Sequence, residues 1–111
     1  MTIEHGKIDG DINLSYELVL HGMTTGNITV TKGGVLILHG MCCQNLMVEK
    51  DGHAYLHGLV AGNVLNRGGY LEVYGTVKGH VHTYEGDTFI DPEAVVVEGI
   101  SESKAGLENE D

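Results

Sequence analysis

The chain has 111 residues, with 16 acidic and 6 basic side chains and a formal net charge of −10. This length allows one small domain, and the acidic balance argues against a nucleic-acid partner because a phosphate backbone requires a basic surface. No apolar run approaches the roughly 18 residues that a membrane span needs. The first residues also lack the basic and apolar stretches of a signal peptide. We therefore expect a soluble, cytoplasmic protein that binds neither nucleic acid nor membranes.

A short repeat runs through most of the chain. Leu-His-Gly occurs three times, with His21, His39 and His57 spaced 18 residues apart. The same register extends to His5-Gly6, Tyr74-Gly75 and Glu98-Gly99. A second motif, mostly Gly-Asn followed by an aliphatic residue, keeps the same step, with its polar residue at Asp11, Asn27, Asn45, Asn63 and His80. A period near 18 is too short for a helix pair and fits one coil of a β-solenoid, whose coils stack at about 4.8 Å.

The repeat divides the chain into about five coils of mostly 16–18 residues, followed by a tail. The coils are residues 5–20, 21–38, 39–56, 57–73 and 74–97. The last coil is longer, and we predict that residues 87–93 form an inserted loop around Pro92. Residues 1–100 then form one all-β solenoid domain. Residues 101–111 form an acidic tail that we expect to cap the last coil.

Alternation within each coil predicts which side chains face inward. The predicted inward columns are Ile8, Thr24, Cys42, Val60, Val77; Ile12, Ile28, Leu46, Val64, Val81; Leu14, Val30, Val48; Leu18, Leu36, Ala54, Leu71; and Leu20, Leu38, Leu56, Val73. Stacked like on like, they form an aliphatic core. Their spacing lacks the strict six-residue rhythm of left-handed hexapeptide solenoids, which favours a right-handed solenoid.

Four of the coils resemble a known family. Residues 6–12, 22–28, 58–64 and 75–81 read GKIDGDI, GMTTGNI, GLVAGNV and GTVKGHV. These runs are similar to the G-x-V-x-G-N-V repeat of bactofilins, over about residues 5–90. Bactofilins are bacterial polymer-forming cytoskeletal proteins, so the resemblance implies a right-handed β-helix and the capacity to form filaments.

The column of His5, His21, His39 and His57 is a candidate metal site. Zinc needs ligand nitrogens that converge at about 2.0–2.1 Å, whereas side chains on successive rungs run parallel. We therefore interpret the column as a structural ladder of stacked rings and predict no metal or other cofactor. The Asn column is similarly interpreted as a ladder of turns, held by hydrogen bonds within and between rungs.

The adjacent cysteines offer little support for catalysis. Cys42 falls in an inward column and Cys43 beside it faces outward. A surface thiol near histidines would suit a nucleophile, but no residue is placed to orient a base. We interpret Cys43 as an ordinary surface thiol and expect no enzymatic activity.

The outward residues of the strand that leads into the His ladder are rich in aromatic and β-branched side chains. From them we predict a partner-binding face formed by Val19, Val35, Ile37, His39, Tyr55, His57, Tyr70, Glu72, Tyr74 and Phe89. Aromatic residues flanked by polar ones are typical of the centre of a protein interface. The alternative is that these residues only stabilise the strand by packing between rungs.

Two functions follow from these patterns. Nine of the 16 acidic residues lie within residues 85–111, beside a single lysine, which favours a basic protein partner. The first function is an acidic inhibitor, such as an immunity protein that neutralises a bacterial toxin with a basic surface. The second is a bactofilin-like polymer or scaffold, and the flat apolar face would also allow a homo-oligomer. Open solenoid ends favour the polymer, whereas covered ends favour the inhibitor.

Overall fold

A computed structural model of the chain describes residues 1–103. This part is all-β, with sixteen parallel-paired strands and no helix. The strands are β1 Thr2–Glu4, β2 Lys7–Ile8, β3 Ile12–Leu14, β4 Glu17–Leu20, β5 Met23–Thr24, β6 Ile28–Val30, β7 Val35–Leu38, β8 Met41–Cys42, β9 Leu46–Val48, β10 His53–Leu56, β11 Leu59–Val60, β12 Val64–Val73, β13 Thr76–Val77, β14 Val81–Ile90, β15 Val95–Val96 and β16 Ile100–Glu102. The expected β-solenoid is confirmed, and no helix in this range could cross a membrane.

Each coil contributes one strand to each of three faces. Face 1 consists of β1, β4, β7, β10 and the second halves of β12 and β14. Face 2 consists of β2, β5, β8, β11, β13 and β15. Face 3 consists of β3, β6, β9, the first halves of β12 and β14, and β16. Because β12 and β14 run unbroken from face 3 into face 1, these two faces form one ten-stranded sheet.

Residues 1–103 form six coils, one more than the sequence predicted. The extra rung comes from β1, which precedes His5 and pairs with β4 in the register Thr2↔Leu18, Ile3↔Val19 and Glu4↔Leu20. Thr2 and Glu4 therefore take the inward positions that leucines occupy in the next coil. Because these two residues are polar, the inward pattern gave no hydrophobic signal for a strand in front of His5.

The end of the repeat also differs from the prediction. The Asp91 N–H donates to Val73 O at 2.8 Å, as the Tyr74 N–H donates to Leu56 O, so Asp91 is the ladder position after Tyr74. Gly99 instead follows His80, since its carbonyl accepts from the Val81 N–H at 3.1 Å. Placing Glu98-Gly99 in the His-Gly register was therefore wrong.

The predicted loop at residues 87–93 is also mostly wrong. Asp87 to Ile90 lie in β14 and pair with Tyr70 to Val73 of β12, so this segment is a rung of face 1. Only a short turn around Pro92 remains, where the Ala94 N–H donates to Asp91 O at 2.9 Å. Ser101 and Glu102 of the predicted tail belong to β16. Residues 104–111, on which the capping prediction rests, lie outside the described residues.

The predicted inward columns are confirmed. From Leu14 to Val81 their members are at most 2% exposed, and only Ile8 and Ile12 of the first coil are half-buried. At about 0.8 kcal/mol per buried CH₂, this continuous aliphatic core is the main source of stability.

One inward column changes from apolar to polar along the stack. Val48 is followed in register by the fully buried Asn66, whose amide Nδ2 donates to Asp87 O and Thr88 Oγ1, both at 2.9 Å. Its Oδ1 accepts from the Gly69 N–H at 2.9 Å. These bonds satisfy the buried amide and fix the bend at which β12 passes from face 3 to face 1.

The glycines after His21, His39 and His57 are required by the stacking itself. A Cβ at Gly22 would lie 1.8 Å from Gly6 O, and one at Gly40 would lie 1.8 Å from Gly22 O. At this corner the side-chain direction points along the stack into the preceding coil. Only glycine lets the coils approach to hydrogen-bonding distance there.

The Asn ladder holds the corner between faces 2 and 3 together. Each side-chain oxygen accepts from the backbone N–H of the equivalent residue one coil further on, at 2.7–3.0 Å, from Asp11 to His80. The predicted hydrogen bonding between rungs is thus confirmed.

Val64→Asp tests the core. Val64 is fully buried in the central column, and an unpaired carboxylate there should lower the free energy of unfolding by at least about 3 kcal/mol. Chemical denaturation followed by circular dichroism measures the loss. Val95→Asp is the control, because it makes the same change at a valine that is 52% exposed. Equal, small losses in both variants would contradict the described core.

Candidate binding face

The predicted partner-binding residues all lie on the outer side of face 1 or on the corner that follows it. One outward column reads Ile3, Val19, Ile37, Tyr55, Glu72, Phe89, and its neighbour reads Glu17, Val35, His53, Tyr70, Asp87. The corner column is the His ladder, continued by Tyr74 and Asp91. Face 1 thus brings the ten residues into one continuous surface, and their role in binding remains a prediction.

Burial within this surface is uneven. Val19, Val35, Ile37, Tyr55, Tyr70 and Glu72 are half-buried, whereas His39, His57, Tyr74 and Phe89 are exposed. Ile3, which the sequence prediction omitted, heads the same column and is 56% exposed. The sequence did contain a signal for Ile3 as an outward residue. Ile3 lies between Thr2 and Glu4 as the outward Val19 lies between Leu18 and Leu20.

A carboxylate held by two tyrosines lies at one end of the face. Glu72 lies between Tyr70 and Tyr74 on the same side of the strand. The Tyr70 hydroxyl donates a very short hydrogen bond to Glu72 Oε2. The Tyr74 hydroxyl donates to Oε1 at 2.6 Å. Both carboxylate oxygens are therefore engaged, and we call this arrangement the tyrosine clamp.

The clamp changes the protonation of its members. The hydrogen bond to Glu72 raises the pKa of Tyr70 to about 12, and the equivalent bond raises the pKa of Tyr74. The two hydroxyl donors lower the pKa of Glu72, the Tyr70 bond having the larger effect. The hydrogen bonds favour the ionised carboxylate, which lowers the pKa of Glu72, and they require the protonated phenols, which raises the pKa of both tyrosines. Glu72 therefore stays charged across the neutral range.

Aromatic rings surround the clamp. The Tyr55 and Tyr70 ring centroids are 6.1 Å apart and tilted by 56°, and those of Tyr74 and Phe89 are 5.9 Å apart and tilted by 53°. His57 stacks on Tyr74 at 4.9 Å, with the rings nearly parallel. The rings support one another across three rungs and hold the clamp in a fixed position.

The His ladder is a column of stacked rings, as predicted. Neighbouring centroids from His5 to His57 are 4.9–5.2 Å apart, with interplanar angles of 9–19°. Parallel planes at this separation do not direct their nitrogens to one point. Within residues 1–103, no group of three or more His, Cys, Asp or Glu side chains is arranged to hold a metal ion.

The cysteines have the predicted orientations. Cys42 is buried, and burial raises the pKa of its thiol, which opposes the thiolate that a nucleophile requires. Cys43 is half-buried. Its interpretation as an ordinary surface thiol stays a prediction.

Acidic residues dominate the final coil next to the aromatic end of face 1. Residues 87–103 contain Asp87, Asp91, Glu93, Glu98 and Glu102 and no lysine or arginine. On face 1, strands β1, β4, β7 and β10 and residues 70–73 and 87–90 likewise contain no lysine or arginine. The two ion pairs described, Lys7–Asp9 at 3.6 Å and Arg67–Glu49 at 3.5 Å, lie off this face.

Comparisons with protein-family models, curated proteins and solved structures find no match to this chain. The structure itself defines the class: residues 1–103 form an all-β solenoid of six coils.

The clamp predicts a late tyrosine titration. In the folded protein, Tyr70 should ionise near pH 12. Its phenolate absorbance should therefore rise at a higher pH than that of ordinary tyrosines. Because its folded pKa is raised, the stabilising effect is complete below the ordinary pKa of 10.0 and is lost as the pH rises toward 12. Glu72→Gln should move the late transition down toward 10.0, and Tyr70→Phe should remove it. Superimposable curves for wild type and Glu72→Gln would show that the clamp does not form.

His39→Ala tests the structural interpretation of the ladder. The exposed ring makes two stacking contacts, so its loss should cost on the order of 1 kcal/mol and leave the fold intact. Isothermal titration with Zn²⁺ should show the same weak or absent binding in wild type, in His39→Ala and in the control His53→Ala, which lies outside the ladder. Tight zinc binding that only His39→Ala abolishes would prove the metal interpretation.

Proposed function

We propose that this protein is a non-catalytic protein-binding module, an acidic inhibitor that covers a basic partner in the manner of a bacterial immunity protein. The observation that carries the proposal is the continuous aliphatic and aromatic surface of face 1 beside an acidic final coil. An apolar centre with an acidic margin suits a partner whose surface is basic around a contact region. A cytoplasmic location belongs to the same proposal.

The acidic margin and the apolar centre of the proposed interface would contribute differently to partner binding. The acids of the final coil attract a basic partner over a distance of several ångströms and raise the association rate. The half-buried Ile37 and Tyr55 supply area that is removed from water on contact, which slows dissociation. Because the acidic coil and the apolar surface are adjacent, one partner can contact both.

A bactofilin-like polymer is the second candidate, and the solenoid ends favour it. Within residues 1–103, β1, β2 and β3 pair on one side only, with β4, β5 and β6. Stacking the last coil of one copy on the first coil of another in register would place Phe89 on Ile3, Val96 on Ile8 and Ile100 on Ile12. Unpaired strand edges with matching apolar residues can support such growth.

Charge opposes that stacking. Glu4 occupies an inward register position at the first rung, and the copy above would cover its carboxylate with Ile90. The first coil carries Glu4, Asp9 and Asp11 against Lys7, so two acidic ends would meet. An inward-pointing charge on an edge is a known means of preventing edge-to-edge association, which is why we favour the inhibitor.

Assembly distinguishes the two candidates. At tens of micromolar, light scattering after size exclusion should show a monomer or a small closed oligomer. Glu4→Leu should promote larger species by removing the charge that end-to-end stacking would bury. Glu49→Leu is the matched control, because Glu49 lies in the middle of the stack. Long filaments of the unmodified protein in electron micrographs would favour the polymer and overturn the inhibitor.

Tyr55→Ala tests the face itself, with a partner captured from the source cell and then purified. Tyr55 lies between Ile37 and Glu72 near the centre of the surface. Removing a central aromatic residue commonly costs about 2 kcal/mol or more of binding, so affinity should fall by more than about tenfold. Met47→Ala truncates a half-buried outward residue on face 3 and should leave affinity unchanged. The interface would instead be the acidic coil if Tyr55→Ala and Ile37→Ala both bind normally while neutralising that coil abolishes binding.

A further inference from the structure

The environment of Glu72 is unusual for a carboxylate on an apolar face. In its column, Tyr55 precedes it and Phe89 follows it in register. Along its own strand, Tyr70 and Tyr74 flank it and donate to its two oxygens. Four aromatic side chains therefore surround one charged group.

Hydrogen-bond capacity remains after the clamp has formed. A carboxylate offers about four acceptor sites, and the two hydroxyl donors use two of them. Each tyrosine oxygen that donates can also accept. The outer edge of the clamp is thus a row of acceptors that bears a negative charge, and it can accept further hydrogen bonds from a partner.

The electrostatic setting favours a cation. Asp87 pairs in register with Tyr70, and Asp91 follows Tyr74 on the corner. On face 1, strands β1, β4, β7 and β10 and residues 70–73 and 87–90 contain no lysine or arginine. The basic side chains of this surface are histidines, with the His53 ring 6.0 Å from the Tyr70 ring and His57 stacked on Tyr74. The pKa of Glu72 is lowered, so the charge persists at neutral pH.

We propose that Glu72, with the rings of Tyr55, Tyr70, Tyr74 and Phe89, forms a receptor for an arginine side chain of the protein partner. This inference rests on the proposed function and names the group that face 1 recognises. The guanidinium donates to the acceptor row of the clamp while its plane lies against an aromatic ring.

Guanidinium fits this setting better than ammonium. It is planar, presents five N–H donors in a fixed fork and is weakly hydrated, so it stacks on rings and bonds in pairs to carboxylates. A lysine ammonium is a compact, strongly hydrated charge and gains less from a row of acceptors. The receptor should therefore discriminate between two peptides of equal charge.

The direct test uses hexa-arginine and hexalysine peptides and the full-length protein. Calorimetry should show that hexa-arginine binds about fivefold or more tightly than hexalysine, since a stacked, doubly bonded guanidinium has no equivalent in lysine. In nuclear magnetic resonance spectra, hexa-arginine should shift the ring protons of Tyr55, Tyr70 and Tyr74.

Matched variants locate the effect. Glu72→Gln should weaken hexa-arginine binding about tenfold and abolish the preference over hexalysine, whereas Glu98→Gln, the same charge change on the final coil, should weaken both peptides slightly and equally. Tyr70→Phe with Tyr74→Phe should reduce the preference while circular dichroism stays unchanged. Equal binding of both peptides, with equal losses in Glu72→Gln and Glu98→Gln, would overturn the receptor and leave only general acidity.

The purified partner separates this inference from the function on which it rests. If Tyr55→Ala loses partner binding but Glu72→Gln does not, the arginine receptor is wrong and the binding face stands. If Glu72→Gln abolishes the arginine preference but neither variant affects the partner, the receptor stands and the proposed interface is wrong. Loss of partner binding in both Tyr55→Ala and Glu72→Gln, together with loss of the arginine preference in Glu72→Gln, supports receptor and face together.

Discussion

The structure depends on one constraint, the close parallel stacking of each coil on the one before it. Backbone hydrogen bonds between coils require a separation of about 4.8 Å at every position, corners included. At the histidine corner a Cβ on Gly40 would lie 1.8 Å from Gly22 O, so the repeat must keep glycine there. At the corner between faces 2 and 3, the Asn27 oxygen accepts from the Asn45 N–H of the next coil at 2.9 Å. These two corners thereby help to fix the register in which the coils stack.

A fixed register places equivalent residues directly over one another, which explains both the core and the surface. Inward positions become continuous aliphatic columns, and outward positions become ladders of similar side chains. The His rings stack at 4.9–5.2 Å because the backbone imposes that spacing. A flat face follows for the same reason. Such a wall is well suited to contact with another surface and poorly suited to enclosing a small substrate.

The sequence could predict the features that recur in successive coils. From Leu14 to Val81 the buried columns follow from alternation and the 18-residue step, because each position is constrained by several coils at once. Prediction failed for features that are present in only one coil. Thr2 and Glu4 are polar, although they occupy the register positions of Leu18 and Leu20 in the next coil. Glu98-Gly99 resembles the His-Gly motif in sequence, but Asp91 occupies the ladder position. Spacing placed Tyr70, Glu72 and Tyr74 on one side of a strand, but their hydrogen bonds depend on side-chain conformations that no pattern encodes.

The position of Glu72 bears on whether face 1 is only strand packing. If cross-rung packing were the sole requirement, its column should remain apolar, as it is at Ile3, Val19, Ile37, Tyr55 and Phe89. An aliphatic residue between Tyr55 and Phe89 would bury more apolar area than a carboxylate does. Instead the column contains one acid, and two tyrosines hold its charge in place. This departure from like-over-like stacking is not explained by packing between rungs, and it is the feature of face 1 that favours the proposed recognition role.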